Sequence, residues 1–266
     1  MQSVLIPETE IVLSQFSDAA GSYDSYAEHH RLIASKLLDV AGRVKPDSLL
    51  ELGCGTGILS AGLNLLFPEA YKEFTDGATE MVRFCQGKIP SSELVSHSVL
   101  DFEKIGGDSR YDLVLSSCAL QWLRNPASFT SRLPSLLKPG GYTVHAIPVK
   151  GMLGELEQSF VETEGTWNSL NYISGGEWDG LFQEAGFRIE DSFSCDFTVI
   201  YKSPVESLRA VRGIGASLSS HRDASVVSPG VLRKALNYYS CKFGDETGAV
   251  PVTYKVHFVV ATGGHL

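Results

Sequence analysis

Leu49-Leu50-Glu51-Leu52-Gly53-Cys54-Gly55-Thr56-Gly57 decides the fold: an apolar strand runs into a glycine loop, and residues 58–67 beyond it have helical spacing. A strand, a glycine loop and a helix in that order mark where an open α/β sheet binds its ligand. Glycine lets the chain turn sharply and approach a ligand with no Cβ in between. An ordinary strand-to-helix turn is the plain alternative, and the acid inside the stretch and the segments around it narrow the choice.

Outward from the loop, short strands at 48–52, 71–75, 93–99, 111–116 and 142–147 alternate with helical stretches at 58–67, 79–88 and 127–137. This alternation predicts an α/β fold, a parallel sheet covered by helices on both faces. The segment Tyr71-Lys72-Glu73-Phe74-Thr75 is polar for a buried parallel strand. Leu136-Leu137-Lys138-Pro139-Gly140-Gly141 predicts a helix end and a turn before the strand at 142.

Before the core, Ile11, Val12 and Phe16 are spaced for one helical face, Tyr26, His30, Ile33 and Leu37 for another, with Ser17 and Gly21 as breaks. Beyond the core, helices are expected at 152–170 and 177–185, a strand at 188–200, helices from Pro204 to 211 and Pro229 to 239, and a last strand at 252–261. The reading is one domain over 1–266: a helical cap at 1–45, a ligand-binding core at 46–150, and a C-terminal half at 151–266 with a helical insertion at about 203–240.

The 266 residues are 43% hydrophobic and 20% charged, the balance of a globular chain. A formal charge of −9 argues against a grip on nucleic acid or an anionic membrane, which relies on Lys and Arg. No apolar run approaches the roughly 20 residues of a membrane span, and the first basic residue is Arg31, so a cytoplasmic protein is expected. Five scattered cysteines, Cys54, Cys85, Cys118, Cys195 and Cys241, form no Cys-x-x-Cys pair and read as reduced thiols, with no metal expected.

The glycines fall as G-x-G-x-G, with Ile58 where a dinucleotide loop spaced G-x-G-x-x-G continues. S-adenosylmethionine has no pyrophosphate, and its sulfonium and ammonium groups favour a carboxylate such as Glu51. Asp76, after the second strand, stands where an acid hydrogen-bonds ribose hydroxyls; a turn aspartate before Gly77 is the alternative. Asp101 and Phe102 fit an adenine between a carboxylate and an apolar ring. Ser116, Ser117 and Cys118 leave the fourth strand at the crevice, with Gln121 and Trp122 following on its acceptor side; taken alone, Phe102 and Trp122 read as core by default. His145 reads as a satisfied core histidine before a catalytic one.

Taken together, E-L-G-C-G-T-G, Asp76, Asp101, Y-D-L-V-L-S-S and L-L-K-P-G-G resemble the class I adenosylmethionine-dependent methyltransferases over residues 45–150. Outside them, F-S-D-A-A-G-S-Y-D, A-L-Q-W-L, S-L-R-A-V-R-G-I-G-A and V-P-V-T-Y-K-V-H-F-V-V-A-T-G resemble the malonyl-acyl carrier protein O-methyltransferases, which start the pimeloyl chain of biotin synthesis. The resemblance implies an open Rossmann-like sheet with a helical lid, S-adenosylmethionine as donor, S-adenosylhomocysteine as product, and a malonyl-carrying acyl carrier protein as partner. It implies a cofactor site of Tyr23, Glu51, Gly53, Cys54, Gly55, Gly57, Asp76, Gly77, Met81, Asp101, Phe102, Ser116 and Ser117. Tyr23, Gln121, Trp122, Arg209 and Arg212 are the expected catalytic set.

A carboxylate acceptor is already ionised at neutral pH and needs no base, only orientation, which Arg suits. Arg209 and Arg212 are three apart, on one helix face. From Lys202 to Ser240 there are six basic residues, Lys202, Arg209, Arg212, Arg222, Arg233 and Lys234, against two acids, Glu206 and Asp223. This stretch suits an acidic carrier protein, with a solvated helical face as the plain alternative. Three other readings stay open: a methyltransferase for a small free acid or other metabolite, a non-catalytic binding protein on the same fold, and a nicotinamide oxidoreductase, which the glycine spacing disfavours.

Overall fold

A computed structural model describes residues 9–107, 110–163, 170, 172–213 and 228–263. The chain runs α1 (Thr9–Ala19), α2 (Tyr23–Tyr26), α3 (Glu28–Ala41), β1 (Ser48–Leu52), α4 (Ile58–Leu66), β2 (Tyr71–Asp76), α5 (Thr79–Lys88), β3 (Val95–Val99) and β4 (Tyr111–Ser117). It continues with α6 (Pro126–Arg132), β5 (Leu137–Pro148), α7 (Gly154–Val161), α8 (Gly175–Glu184), β6 (Phe187–Tyr201), α9 (Pro204–Gly213), α10 (Pro229–Phe243) and β7 (Val250–Gly263). The strands form one sheet in the order β3-β2-β1-β4-β5-β7-β6, parallel except that β7 is antiparallel to both neighbours.

Period-two alternation sorts the side chains to two cores. Leu49, Leu113, Leu115, Val144, Ala146, Val256 and Phe258 face α3 and α4, where they meet Ile33, Leu37, Leu59 and Leu63. Leu50, Val114, Ile147, Val259 and Ala261 face the other way, onto Phe129 of α6 and Trp178 and Phe182 of α8. The sheet is therefore covered on both faces, as the strand and helix alternation predicts.

The polar second strand is accommodated side chain by side chain. Lys72 is buried, and its Nζ donates to the carbonyls of Phe67 at 2.8 Å and Ala70 at 2.7 Å, capping the end of α4. Glu73 accepts from Tyr111 Oη at 2.5 Å, and Thr75 Oγ1 donates to Glu51 O at 2.7 Å. The register, Ser48 against Tyr71 through Leu52 against Thr75, places Asp76 level with the glycine loop.

Several boundaries differ from the sequence expectation. Ser17 lies inside α1, and the break comes after Ala19, next to Gly21. Tyr26 sits on its own four-residue helix and is exposed, so only the Ile33 and Leu37 end of that stripe is core. Pro139-Gly140-Gly141 is a bulge inside β5 rather than a turn ahead of it: Leu137 pairs with Tyr111 and Tyr142 with Leu113, and Gly140 takes φ +77 in between. The helix expected over 152–170 is Gly154–Val161, and residues 164–169 lie outside the described residues. Helices α9 and α10 stand between β6 and β7 where the insertion is expected, while residues 214–227, with Arg222 and most of R-G-I-G-A, lie outside the described residues. No helix among the described residues is long and apolar enough to cross a membrane.

Candidate active site

A cleft of about 1030 Å3 opens at the carboxyl ends of β1, β2 and β4, the ligand position of an open α/β sheet. A side lobe sharing Tyr23, His30, Gly53, Gly55 and Ser117 runs inward past Cys54 to Glu51.

The floor is the glycine loop. Gly53 and Gly57 take left-handed backbone angles, φ +74 and +88, which side chains disfavour. A Cβ on Gly53 would lie 2.6 Å from Ala119 Cβ, and one on Gly57 would lie 3.1 Å from Cys85 Sγ, so Gly57 serves packing against α5 and lines neither lobe. Cys54 N donates to Thr75 O at 2.8 Å, tying the loop to β2.

Asp76 holds the loop from the other side. One carboxylate oxygen accepts from Gly55 N at 2.9 Å and the other from Ala78 N at 2.8 Å, leaving further lone pairs at the cleft. Burial raises its pKa and these backbone donors oppose the rise. Glu51 is buried at the end of the side lobe, accepts from Ser60 Oγ at 2.6 Å, and has its pKa pushed well up by burial.

Asp101 and Phe102 line the next wall. Asp101 caps a short 3-10 turn by accepting from Glu103 N at 3.0 Å and pairs with Lys104 at 2.9 Å. Met81 and Gly77 line it from the start of α5, and Leu13 fills the space beside Gly77. Ser117 lines the cleft, whereas Ser116 does not. The period-two alternation turns Ser116 into the core, where its hydroxyl meets His145 Nδ1 at 2.8 Å.

The N-terminal helices close the top. Asp24 accepts from Thr56 Oγ1 at 2.5 Å and pairs with Lys88 at 2.5 Å, fastening α2 to the loop and to α5. Tyr23 then points into the cleft with its hydroxyl 3.2 Å from His30 Nε2. Phe16 meets Trp122 edge-on at 5.3 Å, so α1 and the segment after β4 share one apolar lip.

On the acceptor side, Cys118 takes φ +53, and Gln121 Nε2 donates to its carbonyl at 2.6 Å. The structure also brings in His29, His30, Pro148, Met152 and Tyr172. None of these is picked out by the sequence. His30 enters the sequence reading only in the stripe with Tyr26, Ile33 and Leu37, and nothing local links 148–172 to residue 29.

Arg209 and Arg212 do not line the cleft. The inner side of α9 is Ser207 and Ala210, and both arginines lie on the exposed side, as do Lys202, Arg233 and Lys234. Among the described residues no group of His, Cys, Asp and Glu is arranged to hold a metal ion, and all five cysteines are free.

His145 is a satisfied core histidine: Thr143 Oγ1 lies 2.5 Å from its Nε2, opposite Ser116. Burial lowers its pKa from 6.5 to about 3. That of His30 falls to about 4, through burial and then the Arg31 charge, and burial and then His30 lower that of His29 well below 6.5. Each is neutral when folded and takes up a proton on unfolding below pH 6.5. Their contribution is complete above 6.5 and is lost as pH falls toward 4, by about 1.4 kcal/mol per pH unit for each histidine. Urea unfolding across this range should show stability falling toward acid, by less than the sum for the three histidines because the raised pKa values of Glu51 and Asp76 act with the opposite sign, and falling less steeply in His145→Leu. A flat profile would contradict the assignment.

A family model described as a methyltransferase domain matches residues 23–192. The malonyl-[acyl-carrier protein] O-methyltransferase of Brevibacillus brevis is 29% identical over 265 residues, covering 94% of this chain and 95% of that protein. Malonyl-[acyl-carrier protein] O-methyltransferase 2 of Ilyobacter polytropus is 30% identical over 204 residues, 76% of this chain and 78% of its own. Among solved structures, Haemonchus contortus phosphoethanolamine N-methyltransferase 2, in complex with phosphomonomethylethanolamine and S-adenosylhomocysteine, aligns with a TM-score of 0.58 at 15% identity, covering 94% of this chain and 58% of that one. The family model spans more than half of the chain, and the chain is a member of the methyltransferase-domain family, within the group of malonyl-[acyl-carrier protein] O-methyltransferases.

Proposed function

We propose that this protein methylates the free carboxylate of a malonyl group carried on acyl carrier protein, using S-adenosylmethionine, as an early step of pimeloyl and biotin synthesis. The observation that carries this reading is the extent of the likeness to the Brevibacillus brevis protein. It spans the N-terminal cap and the insertion as well as the core, and those outer segments are the ones placed to select an acceptor.

The cleft suits the cofactor on its own terms. Gly53 and Gly55 leave the floor free of side chains, Asp76 presents lone pairs to ribose hydroxyls, and Met81 and Phe102 offer apolar faces to an adenine. Tyr23 and the side lobe toward Glu51 would surround the methionine part. When bound, S-adenosylmethionine supplies an electrophilic methyl group on a sulfonium.

The protein's own work is alignment and exclusion of water. Tyr23, Phe16 and Trp122 cover the cleft, and Gln121 is fixed by its bond to the Cys118 carbonyl. An acceptor carboxylate held there forms its O–C bond as the C–S bond breaks and the electron pair returns to sulfur. No proton has to move, so no base is required.

The basic face of α9 and α10 supports carrier docking. Lys202, Arg209, Arg212, Arg233 and Lys234 are exposed and outside the ion pairs of the described residues, and Glu206 is the acid among them. The end of α9 packs against Tyr26, one helical turn from Tyr23, with no room for a Cβ on Gly213. The same outward placement favours a second reading, a methyltransferase for a small free acid, because neither arginine meets the cleft.

Methyl transfer from labelled donor to malonyl-acyl carrier protein, malonyl-coenzyme A and free malonate separates the two. Preference for the carrier-bound acceptor is expected. Arg209→Glu with Arg212→Glu should raise its KM about tenfold, more at low salt, with kcat kept. Equal use of free malonate, indifferent to the double substitution, would establish the second reading.

A further inference from the structure

His29 is buried at 1% exposure in the acceptor-side wall, and neither its Nδ1 nor its Nε2 has a hydrogen-bond partner. Its ring lies flat on Tyr254 of β7, centroids 3.8 Å apart and planes 5° apart, and touches His30 at 4.0 Å. Packing alone fixes its direction. A buried imidazole with both nitrogens unpaired is costly, and polar groups so placed are normally satisfied by something. At the wall of a ligand cleft, that something is a ligand atom.

The surrounding wall says which kind. Among the described residues lining the cleft there is no Lys or Arg, so an anion bound there has only neutral donors to meet. Tyr172 lines the same cleft and packs into the apolar cluster of Met152 and Tyr254, the ring on which His29 is stacked. Burial holds the Tyr172 hydroxyl protonated and keeps His29 neutral, each with a hydrogen to give. Asp76, Asp101 and Glu103, the acids lining the cleft, come from the ends of β2 and β3, the cofactor side.

We propose that His29, together with the Tyr172 hydroxyl, seats the acceptor's free carboxylate, taking the place that an arginine would otherwise fill. Neutral donors orient one carboxylate oxygen without drawing off the charge that the other needs as nucleophile, whereas a bidentate guanidinium engages both. The inference rests on the carboxylate-acceptor reading above and names the residues that read the carboxylate.

His29→Phe keeps an aromatic ring on Tyr254 and removes both nitrogens. The KM for malonyl-acyl carrier protein should rise about tenfold or more, as loss of a hydrogen bond to a charged group predicts. S-adenosylmethionine Kd and Tm should stay near wild type. His29→Gln, which restores an N–H, should recover part of the loss, and Tyr172→Phe should raise KM in the same direction. A measurement needing no variant is the 15N signal of the His29 ring, which should shift when malonyl-acyl carrier protein is added to the S-adenosylhomocysteine complex. An unchanged KM in an active His29→Phe, or an unmoved ring signal, overturns the inference alone. A wild type that methylates no malonyl acceptor overturns the reading beneath it as well.

Discussion

Asp76→Ala is expected to weaken S-adenosylmethionine binding about a hundredfold in calorimetry, with kcat at saturating donor much less affected. Two ribose hydroxyls donating to a carboxylate contribute roughly 1.5 kcal/mol each, and their joint loss gives that factor. The substitution also frees Gly55 N and Ala78 N, which the carboxylate holds at 2.9 and 2.8 Å. Asp76→Asn keeps one acceptor and should fall between wild type and alanine. Because burial raises the Asp76 pKa, donor affinity should decline on acidification at a higher pH than an exposed aspartate would impose. Alanine binding the donor as wild type does would remove Asp76 from the site.

Gly53→Ala should cost about 2–4 kcal/mol of stability in urea unfolding and abolish measurable donor binding. Two separate effects add: a side chain at φ +74, and a Cβ 2.6 Å from Ala119 Cβ. Ala119→Gly in the same chain relieves the contact and leaves the backbone strain. The double variant should therefore recover part of the loss, a coupling that a double-mutant cycle reads directly. Full additivity would mean that the loop has shifted away from Ala119. A stable, binding-competent Gly53→Ala would falsify the loop geometry.

The two substitutions act on features of different legibility. The loop is written locally, since glycine is the residue that favours those backbone angles and the strand before it carries the apolar run Leu49, Leu50 and Leu52 around Glu51. Asp76 is visible because a strand end precedes it, and the register with β1 then puts it opposite the loop. The strand at 71–75 is read correctly in spite of its polar makeup, and what the sequence leaves unexplained is how Lys72 and Glu73 are satisfied, by carbonyls of the α4 end and by Tyr111 and Ser98, partners absent from any local pattern.

Ser116 and the two arginines turn on facing. A strand alternates, so of two adjacent serines only Ser117 reaches the cleft, and His145 claims the other. A helix spacing of three puts Arg209 and Arg212 together, but which way that face points depends on what the helix rests on. It rests on Ser207 and Ala210, and the arginines face out. The Pro-Gly-Gly stretch reads as a turn from composition alone, and becomes a bulge because Leu137 has already paired with Tyr111.

By itself the sequence determined the alternation of strands and helices, the glycine loop, the acid after the second strand and the helices before the last strand. Each is set by backbone preference or hydrophobic period within a few residues. Beyond Gln121 and Trp122, only the tertiary structure decided the acceptor side of the cleft. Helix α3 lays His29 against Tyr254, more than two hundred residues away in the chain, while Cys118 and Met152 follow the ends of β4 and β5 and Tyr172 comes from just ahead of α8. Contacts between residues so far apart leave no local trace, because it is closure of the sheet and docking of the cap that bring them together.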